Sequence, residues 1–166
     1  IAGQATGMHG WGPFARALAE DHRVITFDHR GIGDGGAGDP GRYSTRLFAD
    51  DALAVLDAAG VSAAHVVGHS MGGRVAQWLA AEHPARVRRL ALIGTTASDR
   101  AGGAGERRDP AVIADLLSGD RERMLPLFFD AAWAEANPEA VAGFFDRVAS
   151  RPALRGHFAA SRDHDA

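Results

Sequence analysis

The sequence predicts an α/β fold in which a parallel sheet is flanked by helices and followed by a helical segment, and three observations carry the prediction. Short runs recur along the first hundred residues and are near-continuously apolar, as strands covered on both faces are. Between those runs lie stretches with helical spacing, the alternation from which parallel sheets with right-handed crossovers are built. Beyond Thr96 only helical patterns remain.

In chain order, Trp11, Phe14, Ala15 and Leu18 stand at i, i+3, i+4 and i+7, which predicts a first helix. Arg23-Val24-Ile25-Thr26-Phe27 then reads as a buried strand closed by Asp28. Phe48, Ala52, Val55, Leu56 and Ala59 mark a second helix. Ser44 is its expected N-cap, since a hydroxyl there can accept an unpaired first-turn amide, and Gly60 fits the left-handed position past its end. Ala64-His65-Val66-Val67 is the next strand. A third helix runs from about Met71 to Glu82 with Val75, Leu79 and Ala80 inward and Pro84 beyond its end. Arg89-Leu90-Ala91-Leu92-Ile93 is the third strand.

The glycine-rich residues 101–105 read as a linker. Asp109-Pro110 has the form of an N-cap followed by proline in the first turn, and Asn137-Pro138 repeats it. Val112, Ile113, Leu116 and Leu117 form one apolar face, and Val141, Phe144, Phe145 and Val148 another. The expected division is therefore residues 1–100 as the sheet-bearing core and 101–166 as a helical cap or lid. The stretch 157–166 reads as polar and without a closing element, and a first residue other than methionine adds to the expectation of a fragment. A signal peptide before Ile1 would be invisible in it.

A chain of 166 residues can bury a true core, roughly 68–70% of the surface its unfolded form exposes. A net charge of −3 gives no basic face for nucleic acid or an anionic membrane, and no apolar run approaches the ~18 residues that span a bilayer. Cysteine is absent, which excludes disulfides and thiolate metal sites, is compatible with a reducing compartment, and sets a cytoplasmic location as the expectation. All 18 basic residues other than histidine are arginine, which biased composition explains more simply than specific recognition.

The residues with the clearest chemistry are Gly68-His69-Ser70-Met71-Gly72-Gly73, between a predicted strand and a predicted helix. A serine hydroxyl attacks well only when a base takes its proton and donors stabilise the oxyanion that forms. A sharp strand-to-helix turn exposes the hydroxyl at the sheet's carboxyl edge, and small neighbours are needed because the turn is tight. The helix that follows aims its unpaired N–H groups and dipole at the developing charge, so Met71 N–H is the first expected oxyanion donor.

Residues 1–98 resemble the α/β-hydrolase superfamily, and within it the bacterial esterase, haloperoxidase and 3-oxoadipate enol-lactone hydrolase group. Asp28-His29-Arg30-Gly31-Ile32-Gly33 is similar to that family's D-x-R-G-x-G turn, Asp50-Asp51 and Val55-Leu56-Asp57 to its following helix, and Gln77-Trp78-Leu79-Ala80 with His83-Pro84 to its nucleophile helix. Gly35 stands where a serine is usual. These are read as scaffold residues. The resemblance implies a partial α/β-hydrolase fold with Ser70 as nucleophile. It implies a second oxyanion donor after the glycine that closes the third strand, which makes Gln4 the donor, with Ala2 in place of the frequent histidine. Trp11, after His9-Gly10, is the less favoured alternative because no apolar strand precedes it.

The resemblance further implies an acid and a histidine after two later strands, expected beyond residue 166. Asp99 and His164 are the in-chain candidates, in an order that chance readily produces among 8 histidines and 21 acids; His65, His69 and His83 read as structural. The 166 residues alone are therefore expected to be catalytically crippled. The expected activity of the whole protein is hydrolysis of a carboxylic ester or lactone through an acyl-serine intermediate. 3-Oxoadipate enol-lactonase and cofactor-free perhydrolase or haloperoxidase activity are the alternatives that use the same machinery. Serine at position 70 speaks against the dehalogenase and epoxide hydrolase branches, which carry aspartate there. A non-catalytic ligand receptor on the same fold is the reading from another class. No cofactor and no metal is expected, since the glycines after Asp28 lack the lysine of a phosphate loop. The expected partner is a small-molecule ester or lactone.

Overall fold

Two of the three expected strands pair. In the computed structural model, which describes residues 1–97, 109–145 and 151–164, β1 (Ala64–His69) and β2 (Val87–Ile93) run parallel, with His65 opposite Arg89 and His69 opposite Ile93. The connection between them is α3 (Met71–Glu82), and α2 (Thr45–Ala58) packs against α3. Each helix turns a row spaced by four toward the other: Phe48, Ala52 and Leu56 on α2, Met71, Val75 and Leu79 on α3, all buried. Burial of a large apolar side chain contributes roughly 1.5–3 kcal/mol, so these two rows are the chief cohesive element. Both ends of α2 follow the sequence: Ser44 Oγ accepts from Leu47 N–H at 3.0 Å, and Gly60 adopts φ +66°.

Residues 23–27 are the first correction, because they form no strand. A strand exists through its ladder, and the backbone that runs beside β1 on this side is that of Ile1, whose N donates to Val67 O at 2.6 Å and whose O accepts from His69 N at 3.2 Å. A cleft of about 440 Å³, lined among others by Ile1, Phe14, Ile25, Phe27 and Val67, lies between residues 23–27 and β1. The expected first helix also differs: it begins as a 3-10 turn at Met8–Trp11 and becomes α1 only over Gly12–Leu18, with Pro13 in its first turn.

The described part of the helical segment holds α4 (Pro110–Ser118), α5 (Arg121–Phe128), α6 (Ala131–Ala136) and α7 (Pro138–Phe145). Asp109, Asp120 and Asp130 cap the first three in succession, each carboxylate accepting a first-turn amide. Asn137 likewise stands before α7 with Pro138 in its first turn, and its O accepts from Val141 N–H at 3.2 Å, but its side chain turns back, Nδ2 donating to Trp133 O at 2.8 Å at the end of α6. The aromatic residues pack on one another: Phe129 stacks on Trp133 at 5.4 Å between ring centroids and meets Phe144 edge to face at 5.2 Å. The linker 101–105, Asp99 and Val148 lie outside the described residues.

A further correction concerns the segment read as polar. Residues Arg151–Arg162 form α8, whose Leu154, His157, Ala160 and Ser161 are buried. Ala160 belongs to the same core cluster as Phe48, Met71 and Val75, so α8 is tied to the sheet-bearing part of the molecule.

Candidate active site

Ser70 stands between β1 and α3 with φ +53° and ψ −123°, a conformation that L-residues rarely adopt. Holding a residue there costs on the order of 1–3 kcal/mol, which the surroundings must over-determine. They do so through the backbone: Ser70 N–H donates to Ile93 O at 2.9 Å, and Gly73 N–H donates to Ser70 O at 2.9 Å. The glycines are needed for close approach. A Cβ on Gly68 would lie 2.5 Å from Gly72 O, and one on Gly72 would collide with the carbonyls of Ile1 and Ala2. Met71 is the first helical residue, so its N–H has no acceptor within the helix.

The second expected donor lies on a turn pressed against this one. Built onto Gly3, a Cβ would sit 3.3 Å from Ser70 Cβ and 3.1 Å from His69 Nδ1. Residues 3–6 make a four-residue turn closed by Thr6 N–H to Gly3 O at 3.3 Å, with Ala5 at φ +56°. Positive φ at the third position alone is the type II pattern, which favours glycine there; alanine carries a penalty of about 1–2 kcal/mol. Gln4, the second residue of the turn, has an N–H that no hydrogen bond takes up among the described residues. The structure thus brings Gln4, Ser70 and Met71 together. Trp11 closes the 3-10 turn Met8–Trp11, its ring edge-on to His69 at 6.5 Å.

Two histidines hold the Gln4 turn from behind. His29 is buried and its Nε2–H donates to Ala2 O at 3.0 Å. Burial, offset in part by that bond and reinforced by the nearby His157, pushes the pKa of His29 down to about 4, so the ring is neutral. His29 Nδ1 has no partner among the described residues. His157, fully buried on α8, accepts from Ala5 N–H at 3.3 Å through Nδ1. The sequence reading missed His157. The available signal was the spacing Ala153, Leu154, His157, Ala160, Ser161, which marks one helical face and is diluted by Arg155 and Gly156. Asp28 completes the frame: its Oδ1 accepts from Met8 N–H at 2.6 Å.

No base meets the serine among the described residues; no hydrogen bond links Ser70 Oγ to an imidazole. His164, the in-chain candidate, is buried elsewhere. Its Nδ1 lies 2.8 Å from Thr45 Oγ1 and 3.1 Å from Trp78 Nε1. Trp78 is eight residues along α3 from Ser70, about 12 Å at 1.5 Å per residue. Arg74, one turn into α3, donates to Ser161 O on α8 and to Thr96 Oγ1 at 2.7 Å, so it links the nucleophile helix to both neighbouring segments. His83 ends α3 and His65 lies in β1, as expected of structural residues. His69, partly buried, is held below its ordinary pKa by that burial.

Residues 1–147 match the family model described as alpha/beta hydrolase fold. Among curated proteins, a relative from Caulobacter vibrioides named "Putative carbamate hydrolase RutD" is 42% identical over 83 residues, which cover 50% of this chain and 31% of the relative. Among solved structures, a hydrolase from Pseudomonas aeruginosa superposes with a TM-score of 0.81 at 33% identity, covering 99% of this chain and 63% of its own. The enol-lactonase from Burkholderia xenovorans gives the same TM-score at 26% identity, covering 99% and 64%. The chain thus spans about a third of that curated relative and somewhat under two thirds of those solved structures.

Proposed function

The chain belongs to the alpha/beta hydrolase fold family, and we propose on that premise that the whole protein is a hydrolase of esters, lactones or carbamates, and more narrowly of a carboxylic ester or lactone. In this reading Ser70 Oγ gives its proton to an imidazole and attacks the carbonyl carbon. Collapse of the oxyanion then breaks the bond to the alcohol oxygen, which takes that proton and leaves an acyl-serine; in a lactone the alcohol stays attached as the far end of the opened ring. The N–H groups of Gln4 and Met71 stabilise the oxyanion, and water then releases the acid. The observation that carries the reading is the meeting of three features: a serine in a strained strand-to-helix turn, the unpaired first amide of α3, and the turn of Gln4, whose Gly3 lies so near that serine that a Cβ added there would come within 3.3 Å of Ser70 Cβ. Two donors aimed at one oxygen are a large effect, since loss of one such donor costs about 10²–10³ in turnover in a measured serine protease.

We propose further that the acid and the imidazole come from the part of the relatives' fold that this chain does not span. His164 is committed to Thr45 and Trp78, which supports that assignment. Residues 109–145 are proposed as a lid, with Phe128 and Trp133, each about 45% exposed, as its apolar surface toward a small-molecule substrate. No described helix is long and apolar enough to cross a membrane.

A fluorophosphonate applied to the full-length protein tests the reading. We expect covalent label on Ser70, and Ser70→Ala to lower hydrolysis of a p-nitrophenyl ester or a lactone by on the order of 10⁴-fold or more. Binding of such ligands without labelling or Ser70-dependent turnover would instead establish a receptor on the same fold.

A further inference from the structure

We infer that His157 is a positioning residue for the oxyanion turn: its neutral imidazole fixes the Gly3–Thr6 turn and locks that turn to the backbone at Arg30. The inference rests on the reading of Gln4 as an oxyanion donor.

The argument begins with the two ring nitrogens. Nε2 lies 2.9 Å from Arg30 O and Nδ1 lies 3.3 Å from Ala5 N. A carbonyl only accepts and an amide only donates, so Nε2 must carry the proton and Nδ1 must offer its lone pair. One tautomer satisfies both contacts. Protonation of the ring would remove the acceptor that Ala5 needs, and burial works against protonation by lowering the pKa. Few side chains could replace it, because the site calls for an acceptor and a donor on opposite sides of one small rigid ring.

The surroundings give the ring no freedom to turn. Phe48 lies 5.1 Å away between ring centroids, Tyr43 5.5 Å and His29 5.9 Å. His29 holds the same turn at its other end through Ala2 O. Residues 2 and 5 are thus gripped by two imidazoles packed edge to face, with Gln4 between them. The grip on Ala5 matters most because that residue has φ +56°, a conformation alanine does not favour. On the remaining side of the Gln4–Ala5 peptide, Gln4 O accepts from Thr6 Oγ1 at 3.2 Å, its one partner among the described residues. Without His157 the turn would lose its distal restraint, and a displacement of about 1 Å at such a donor can cost 10²-fold in rate.

The test separates the two bonds in the full-length protein. His157→Asn places Oδ1 near the position of Nδ1 and keeps an acceptor for Ala5; His157→Gln places an amide donor near Nε2 and keeps the bond to Arg30 O. We expect kcat for an ester to fall about 10- to 100-fold in His157→Gln with KM unchanged, and to stay within about threefold in His157→Asn. A merely structural role predicts equal losses, and equal losses would overturn the inference. The Ala5 amide supplies a readout independent of turnover: its hydrogen exchange should remain slow in His157→Asn and become fast in His157→Gln, and equal protection in both overturns the proposal. Should either variant fail to fold, the ¹⁵N spectrum of the wild-type ring decides, with the Nε2-protonated tautomer supporting the assignment and the Nδ1-protonated form refuting it. Turnover that survives Ser70→Ala would sink the nucleophile assignment while leaving the exchange and tautomer results to judge the histidine.

Discussion

Two turns meet at Ser70, and they are held in opposite ways. The turn at residues 68–73 is determined by its own neighbours: a strand before it, a helix after it, glycines where a Cβ would strike backbone, and hydrogen bonds to the adjoining strand. The turn at residues 3–6 has none of that local support. Its third residue is an alanine in a conformation suited to glycine, and it is kept there by His29, 27 residues from Ala2, and His157, 152 residues from Ala5. One half of the candidate oxyanion hole is thus built on a regular strand–turn–helix unit and the other on a loop turn steadied by two distant imidazoles. Precision at an oxyanion hole requires both, since the developing charge is stabilised only when both donors reach the same point.

The largest expected effect comes from a change that forces the two turns apart. Gly72→Ala would drive a Cβ into the carbonyls of Ile1 and Ala2, which are backbone and have little room to yield. We expect a loss of roughly 3 kcal/mol or more in urea denaturation, the upper end of overpacking costs. Gly119→Ala is the control for backbone strain alone: φ is +69° there, whereas Gly72 lies in α3 without a left-handed φ, and nothing lies within 4 Å of the added carbon, so the loss should be only about 1 kcal/mol. An unchanged or raised stability in Gly72→Ala, where no left-handed φ adds a penalty, would mean that contact between the turns does not matter.

The next effect separates the turns by pH. His29 has its pKa pushed down to about 4 in the folded state, against an ordinary value of 6.5. The unfolded chain therefore binds the extra proton first. Stability from this group is complete above pH 6.5 and is lost as pH falls toward and through 4. At 1.36 kcal/mol per pH unit the loss approaches roughly 3 kcal/mol, and His157, lowered by burial as well, acts in the same direction. The groups around His29 are aromatic rings, His157, the charge at Ile1 N and, more distantly, Asp51. Urea denaturation of the wild type and of His29→Leu between pH 7.5 and 4.5 isolates the contribution. The variant should be less stable at neutral pH, because Ala2 O loses its donor, yet show a shallower decline. Parallel curves would refute the assignment.

The same contrast explains what the sequence revealed. Ser44 and Gly60 as the ends of α2, the inward rows on α2 and α3, and the Ser70 turn are all decided within a few residues, by capping, periodicity and close approach. Residues 23–27 misled because composition marks a buried extended segment but cannot show whether a neighbour completes its ladder. α8 was missed because its core face includes His157 and Ser161, polar residues whose burial is justified only by partners far away in sequence: Ala5 and Arg30 for the imidazole, and Arg74 for the Ser161 carbonyl. Asn137 precedes α7 with Pro138 in the first turn, as the sequence places it, but its side-chain amide can serve either flank, and the fold turns it back to Trp133 O. Gln4 as an oxyanion donor is an expectation that family resemblance alone supplies, whereas no signal of that kind points to the histidines that hold its turn.

The smallest expected effect compares the strain in the two turns directly. At Ser70 the unusual φ belongs to the proposed chemistry, and Ser70→Gly should stabilise the protein by about 1–2 kcal/mol: a relief of about 1–3 kcal/mol, less the ~0.4–1 kcal/mol that glycine's greater freedom gives the unfolded chain. At Ala5 the relief is about 1–2 kcal/mol and the same entropic loss applies, so Ala5→Gly should gain roughly 0.5–1 kcal/mol. Because the substitution keeps the amide that donates to His157, turnover of the full-length protein should stay near the wild-type value, in contrast to the loss expected for Ser70→Gly. A destabilising Ala5→Gly would show that the Ala5 methyl contributes packing greater than its strain, and the turn would then owe its shape to side-chain contact as well as to the two imidazoles.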